Sequence, residues 1–203
     1  MILVVCAVAS ELATFAPRDH VEVLVGGVGP VEAAIATSRA LAQSRYRLVV
    51  NAGIGGAFAG RAEVGDVVFV AHDRFVDLRR EDGTKLDLPG VPLVDTVDAD
   101  PRVLDLYTTG RLEAIVGGAI TSASVTTSAE RAQTLANRYG ATVESMEGYA
   151  VMRAAEIAGV PAIALRGISN IVGAERASWN IDAGRFAAVA ALGALFAVLD
   201  PAA

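Results

Sequence analysis

Short apolar runs alternate with helical segments along most of this chain of 203 residues. Most of the runs are continuously apolar, which is typical of strands that are buried on both faces. They predict six strands, at Ile2–Val8, Val21–Gly27, Leu48–Ala52, Val67–Ala71, Ala114–Ile120 and Ala162–Ile168. Helical spacing predicts helices at Val31–Gln43, Ala129–Tyr139, Gly148–Ala158 and Ala183–Leu199. Strands that alternate with helices predict an α/β fold in which helices cover both sides of a mostly parallel or mixed sheet.

Length and composition favour one soluble domain that spans residues 1–203, since two domains would each be too small and no linker separates them. The formal net charge of −6 argues against a nucleic-acid partner, which needs a basic face. The first apolar run is too short to span a membrane and has no basic leader, so we expect a cytoplasmic protein without a membrane partner. The single cysteine of the chain, Cys6, is predicted to be a buried core thiol.

The segment Arg74–Asp100 interrupts the alternation of strands and helices. It contains prolines and glycines in or near turns, among them Gly83, Pro89, Gly90 and Pro92, together with many charges. We interpret it as a surface excursion that covers a site or forms a subunit contact.

Two glycine-rich segments follow predicted strands. In Gly26–Pro30 the third glycine position of a dinucleotide fingerprint is occupied by Glu32, so a tight strand-to-helix turn and an anion contact are both open. In Asn51–Ala57 three glycines fall within four positions, which favours a loop whose backbone approaches a ligand closely.

Carboxylates lie close to the ends of predicted elements. Glu11 follows the first strand, where ligands collect in open α/β sheets, but a glutamate in a first helical turn is also common. Glu144 and Glu147 flank Ser145-Met146 at a junction before a helix. Composition alone does not separate a functional role for these acids from a solvated one.

A further polar group closes the strand predicted at 162–168. There Ser169 and Asn170 could cap the next element or contact a polar ligand. His20 and His72 have no metal-ligand spacing, and no Cys/His cluster or phosphate-binding loop is present, so neither a metal nor a cofactor is expected.

Taken together, the glycines at 53–56, Ser-Met-Glu-Gly at 145–148 and Arg-Gly-Ile-Ser-Asn at 166–170 resemble the nucleoside phosphorylase/nucleosidase family over nearly the whole chain. The longer motifs at 144–148 and 166–173, with Trp179, are most similar to its futalosine-hydrolysing branch. The resemblance implies a three-layer α/β/α sandwich around a central mixed, partly closed sheet, in a homodimer or larger homo-oligomer. It also implies cleavage of a small-molecule purine nucleoside, futalosine, to hypoxanthine and dehypoxanthine futalosine in menaquinone biosynthesis.

The same resemblance implies roles for individual residues. Glu11 would activate the attacking water, Glu147 would hydrogen-bond the ribose hydroxyls, and Asn170 would contact the purine. The residues implied to bind substrate are Gly53, Ile54, Gly55, Val125, Met146, Ser169 and Trp179.

Some positions depart from the adenosine-type nucleosidases of this family. These enzymes carry aspartate at the position of Asn170, whereas an amide can donate to nitrogen 7 or to the 6-oxo group of hypoxanthine. Ser124 stands where a phenylalanine often packs against the base, and Ser145 replaces an acid. The benzoate of futalosine needs a cation, for which the candidates are Arg176, Arg74, Arg79 and Arg80.

Three other functions stay open at this stage. A methylthioadenosine/adenosylhomocysteine nucleosidase is disfavoured by Asn170. A purine nucleoside phosphorylase is disfavoured by Glu11, which would repel phosphate. A non-catalytic nucleoside-binding protein would not need both Glu11 and Glu147.

Overall fold

The computed structural model describes residues 1–16, 18–80 and 82–199, and these residues form eight strands and five α-helices. The strands are β1 (Ile2–Cys6), β2 (Val21–Val25), β3 (Leu48–Ala57), β4 (Val67–Phe75), β5 (Thr96–Asp98), β6 (Ile115–Thr121), β7 (Val143–Ser145) and β8 (Ala162–Ile171). The helices are α1 (Pro30–Gln43), α2 (Pro101–Thr108), α3 (Ala129–Tyr139), α4 (Gly148–Ile157) and α5 (Ile181–Leu199). Short 3₁₀ helices span Ala9–Leu12 and Arg176–Ser178.

All eight strands belong to one mixed sheet, in the order β2-β1-β3-β7-β6-β4-β5. The strand β8 lies off this path and pairs in parallel with β3 and antiparallel with β4. Because β7 and β6 also connect β3 to β4, the strands β3, β8, β4, β6 and β7 close into a ring. The expectation of a mixed, partly closed sheet is therefore confirmed.

Helices cover the sheet on both faces, as two adjacent residues of β8 show. A Cβ on Gly167 would lie 1.9 Å from the carbonyl oxygen of Gly184 in α5, so this helix packs directly on the strand. Arg166 lies instead beside Gly148, the first residue of α4. Successive residues of a strand point to opposite faces, so α4 and α5 lie on opposite sides of the sheet. This confirms the three-layer sandwich.

The helix α5 is long and apolar enough to cross a membrane, by length and composition alone. In this fold it packs against β8, β3 and β4. Its inward residues Ala188, Leu192, Leu195 and Phe196 are almost completely buried in the main core. A buried core helix of this kind meets the same criteria of length and composition as a membrane-spanning helix.

The predicted helices begin and end within two residues of the observed ones, but several strand predictions need correction. The strands β3 and β8 continue past their predicted ends, to Ala57 and Ile171. Burial on both faces, predicted for most of the runs, does not hold for β2, where Val23 is 44% and Val25 50% exposed. The reason is that β2 is an edge strand, paired only with β1 among the described strands.

The segment Arg74–Asp100 is only in part a surface excursion. Its first two residues complete β4, and residues 96–98 form β5, which pairs antiparallel with β4. The side chain of Asp100 accepts a hydrogen bond from Arg102 N at 3.0 Å and thereby caps α2. The sequence does not predict β5, β7 or α2, because strands of three residues and a helix of eight are too short to show a clear periodicity.

Candidate active site

A cavity of about 280 Å³ opens where β1, β3, β7 and β8 end. Nine of the ten residues predicted to act on a substrate line it. These are Glu11, Ile54, Gly55, Val125, Met146, Glu147, Ser169, Asn170 and Trp179. The tenth, Gly53, lies behind the carboxylate of Glu11.

The carboxylate of Glu11 is fixed by three backbone N–H groups. Its Oε2 accepts hydrogen bonds from Ala7 N at 2.8 Å and from Val8 N at 3.3 Å, and its Oε1 accepts one from Ile54 N at 3.0 Å. The residue belongs to the 3₁₀ helix after β1 and is buried. Each carboxylate oxygen has two lone pairs, so Oε1 keeps one free for a further donor in the cavity.

The segment at 53–56 is strand rather than loop, which corrects the prediction. It continues β3, with an irregularity in its pairing with β8 between Gly55 and Gly56. Each glycine makes room for a neighbour. A Cβ on Gly53 would lie 2.6 Å from Glu11 Oε1, and one on Gly56 would lie 2.9 Å from Asn170 Nδ2. The glycines thus let functional side chains approach the backbone closely.

The other glycine-rich segment holds the second carboxylate. Gly29, at a φ of 89°, donates its N–H to Glu147 Oε1 at 2.9 Å, across 118 positions of sequence. Of the two interpretations left open for Gly26–Pro30, the structure shows an anion contact in which the anion is a side chain. Burial raises the pKa of Glu147, the Gly29 N–H and Arg166 oppose this, and Glu11 raises the pKa further.

Asn170 presents its amide to the cavity in a defined orientation. The hydroxyl of Ser169 donates to Asn170 Oδ1 at 2.8 Å, and Nδ2 donates to the carbonyl of Ile171 at 3.2 Å. Each end of the amide keeps one further hydrogen-bonding position, an acceptor on Oδ1 and a donor on Nδ2. Ser169 and Asn170 lie within β8 and do not cap a following element.

Two carboxylates hold the segment that contains Val125 in place at the cavity wall. Glu144 accepts from Thr126 N at 3.1 Å and from Thr126 Oγ1 at 2.6 Å, and burial raises its pKa. At the other end Asp77 accepts from Ala123 N and from the hydroxyl of Ser122. Ser124 itself is exposed and does not line the cavity.

Among the described residues, the aromatic ring that lines the cavity is the indole of Trp179. The guanidinium of Arg176 lies 4.3 Å from the centre of that ring, and Arg176 also lines the cavity. Such stacking of a cation on an aromatic face is favourable and fixes the orientation of the arginine. The other candidate arginines are elsewhere: Arg79 pairs with Asp95 at 2.6 Å, Arg74 donates to Thr96, and Arg80 is exposed outside the cavity lining.

Comparison with known proteins agrees with this fold and site. The model of the family described as the phosphorylase superfamily matches residues 8–200. This chain belongs to the phosphorylase superfamily.

The similar proteins fall into two groups, futalosine hydrolases and adenosylhomocysteine nucleosidases. A futalosine hydrolase of Streptomyces coelicolor is 38% identical over 201 residues, which cover 90% of this chain and 81% of that protein. In fold, the chain is similar to an S-adenosylhomocysteine nucleosidase of Streptococcus pyogenes, with a TM-score of 0.83, 20% identity and coverage of 98% and 96%. It is also similar to the futalosine hydrolase of Helicobacter pylori, with a TM-score of 0.81, 16% identity and 96% coverage of both chains.

This superfamily member also contains a buried polar network that is not predicted from the sequence. Behind the cavity, Arg166 donates to the carbonyl of Asn51 at 3.1 Å, to the side chain of Asn51 and to Ser145 Oγ at 3.3 Å. Asp73, on β4, has no exposed surface. Asp73 is difficult to identify from the sequence, because a single acid next to an apolar run can equally mark the end of a strand.

Proposed function

We propose that this chain is an N-ribosyl hydrolase that cleaves futalosine to hypoxanthine and dehypoxanthine futalosine, as a cytoplasmic enzyme of menaquinone biosynthesis. The observation that carries the proposal is the pairing of Glu11 and Glu147 in one cavity, each held by backbone N–H groups, with the amide of Asn170 beside them. The identity to the Streptomyces coelicolor futalosine hydrolase supports the same substrate.

Cleavage of a ribosyl C–N bond passes through a sugar with oxocarbenium character. Glu147 accepts hydrogen bonds from the ribose hydroxyls and, when ionised, stabilises the positive charge that develops on the sugar. Glu11 accepts a proton from the attacking water through the free lone pair of Oε1, and the hydroxide equivalent adds to the anomeric carbon as the bond to the purine breaks. Positioned proton transfer of this kind contributes roughly 10²–10⁴-fold to the rate.

The leaving purine meets Asn170. Because the Ser169 hydroxyl donates to Oδ1, that oxygen keeps one acceptor position for an N7–H, while Nδ2 keeps one donor for a 6-oxo group. Hypoxanthine matches both positions once nitrogen 7 has taken a proton from solvent water, which neutralises the leaving purine. The exocyclic amine of adenine would instead direct a donor at a donor, which disfavours a methylthioadenosine or adenosylhomocysteine substrate.

Water is favoured over phosphate as the nucleophile by the charges around the cavity. Among the described residues, its charged lining consists of the carboxylates of Glu11, Glu144 and Glu147 and the guanidinium of Arg176. A phosphate dianion bound next to Glu11 would be repelled by several of these groups. This arrangement supports a hydrolase rather than a phosphorylase.

Arg176 is the candidate for the benzoate end of futalosine. It is the cation of the cavity lining, and its stacking on Trp179 places an aromatic face and a positive charge side by side. An aromatic carboxylate suits both, since the ring packs on the indole and the carboxylate pairs with the guanidinium.

The proposal includes a homodimer or a larger homo-oligomer. Exposed apolar side chains in the segment between β4 and β5, at Leu88, Val91 and Val94, support a subunit contact there. Light scattering coupled to size-exclusion chromatography tests it, and a purified protein that is monomeric at micromolar concentration would contradict this part of the proposal.

The first experiment measures hypoxanthine release from futalosine by the purified protein without phosphate, with methylthioadenosine and inosine as parallel substrates. Fast release from futalosine alone supports the proposal. Release of adenine from methylthioadenosine contradicts the role given to Asn170. The variant Glu11→Gln separates an enzyme from a binding protein, because it should lose hydrolysis and retain nucleoside binding.

A further inference from the structure

Asp73 is a buried carboxylate that the proposed mechanism does not use. It has no exposed surface, and its Oδ2 has no hydrogen-bond partner among the described residues. Burying a carboxylate without full compensation is strongly unfavourable. An apolar residue would fill this place in β4 more easily, so the carboxylate calls for an explanation outside packing.

One oxygen of Asp73 connects it to the start of α4. Its Oδ1 accepts a hydrogen bond from Thr121 Oγ1 at 2.9 Å, and the same hydroxyl accepts the N–H of Tyr149 at 2.9 Å. Tyr149 is the second residue of α4, and the N-cap of this helix, Glu147, makes no capping bond with its own side chain. Thr121 therefore satisfies a free N–H of the helix, and Asp73 orients the threonine hydroxyl for this task.

The other oxygen lies against the first residue of α4 and near the buried arginine. A Cβ on Gly148 would lie 2.1 Å from Asp73 Oδ2 and 3.3 Å from Arg166 Nη2. The positive charge of Arg166 acts on both Asp73 and Glu147, whose two negative charges oppose each other. The charged and titratable groups around Asp73 are thus Arg166 on β8 together with Glu147 and Tyr149 at the start of α4.

We infer that Asp73 is a positioning residue of this site, which holds the Glu147 carboxylate in place through the Thr121 cap of α4 and through Arg166. The inference rests on the proposed function for the role of Glu147. Gly29 fixes one oxygen of that carboxylate, so Glu147 is held both by a backbone N–H and by a helix start that Asp73 anchors.

Three variants test separately the Thr121 cap of α4 and the charge that Asp73 shares with Arg166. Thr121→Val removes the cap and preserves the side-chain shape, Thr121→Ser retains the hydroxyl, and Asp73→Asn removes the charge while its Oδ1 can still accept from Thr121. Asp98→Asn, an exposed acid on the neighbouring strand β5, is the control for loss of a negative charge.

Hydrogen exchange and kinetics test the cap. In Thr121→Val the Tyr149 amide should exchange at least about 10-fold faster, and kcat for futalosine should fall by about 10- to 100-fold with a smaller change in KM, as expected for a displaced catalytic group. Thr121→Ser should restore both values. Wild-type exchange and wild-type kcat in Thr121→Val would overturn the inference.

The pKa of Glu147, followed by carboxyl NMR, and the acidic limb of the kcat/KM profile test the charge. Asp73 carries its negative charge above pH 6 and is neutral below it, so the Glu147 carboxyl signal and the kcat/KM profile of the wild type should both show an inflection near pH 6, which Asp73→Asn should lack. A purely structural role of Asp73 would change stability and leave both inflections in place, which would overturn the inference. If the wild-type protein releases no purine, the proposed function fails, and the amide exchange and NMR titration still decide the positioning role.

Discussion

The substitution Gly53→Ala tests the position of Glu11 without touching that residue. A Cβ at position 53 would meet Glu11 Oε1 at 2.6 Å, Cδ at 3.0 Å and Oε2 at 3.1 Å, and no backbone atom is among these neighbours. Ordinary contact begins at 3.4 Å, so the carboxylate must move by about 0.8 Å. The movement stretches or breaks the bond from Ile54 N and displaces the proposed water site.

A displacement of this size predicts a large kinetic effect with a small effect on stability. A misplacement of about 1 Å costs roughly 10²-fold in rate, so kcat for hypoxanthine release should fall by about that factor. The free energy of unfolding should fall by about 1 kcal/mol, because the displaced carboxylate weakens or loses one hydrogen bond, from Ile54 N. Steady-state kinetics and urea denaturation measure the two quantities.

The control for this experiment is Gly193→Ala in α5, where an added Cβ meets nothing within 4 Å. It should leave kcat unchanged and raise stability by about 1 kcal/mol, the helical preference of alanine over glycine. The double variant with Glu11→Gln should be no slower than Glu11→Gln alone, since both changes remove one function. Wild-type kcat in a folded Gly53→Ala protein would refute the placement of the general base at Glu11.

Three further outcomes follow from the site. Asn170→Asp should lower kcat/KM for futalosine relative to methylthioadenosine by roughly 10²-fold, measured as the ratio of hypoxanthine to adenine release, because it changes the hydrogen-bonding pattern offered to the base. Arg176→Gln should raise KM for futalosine by about 10-fold and leave inosine unaffected, since only futalosine has a carboxylate to lose its partner; equal effects on both would contradict that contact. Burial raises the pKa of Asp73 from 3.8 to about 6, so the protonated form is favoured in the folded state, and its contribution to stability is present below pH 3.8 and lost as pH rises through 6. Denaturation between pH 4 and 8 should therefore show the wild type losing up to about 3 kcal/mol relative to Asp73→Asn, and a pH-independent difference would contradict the raised pKa.

The residues at strand ends could be predicted from sequence because local order places them there. Glu11 follows β1 directly, Asn170 ends an apolar run, and Glu147 stands next to the first residue of a helix with clear periodicity. In an α/β sheet such positions converge on one edge, and the structure brings all three to one cavity. The helices α1, α3, α4 and α5 could be placed within two residues, since their periodicity extends over ten residues or more, whereas α2, with eight residues, is not predicted.

The remaining features depend on contacts between distant segments, which a single sequence does not record. Gly29 and Glu147 are 118 positions apart, and the glycine at 53 is explained only by a glutamate 42 positions earlier. Without those partners, glycines at 53–56 suggest a loop, although the chain there continues β3. Asp73 cannot be predicted for a similar reason, because its role depends on β6, α4 and β8 meeting around it.

The three carboxylates of the cavity share one structural principle, which connects the glycine segments to the proposed chemistry. Glu11, Glu144 and Glu147 are held by N–H and O–H donors, and none of them forms an ion pair within the described residues. Neutral donors fix an anion without cancelling its charge, so the cavity keeps a negative field oriented before any substrate arrives. Such a field favours a sugar with developing positive charge and disfavours phosphate in the same space. Among the described residues the one fully buried guanidinium, that of Arg166, lies behind the cavity and not in its lining, where it would oppose that field.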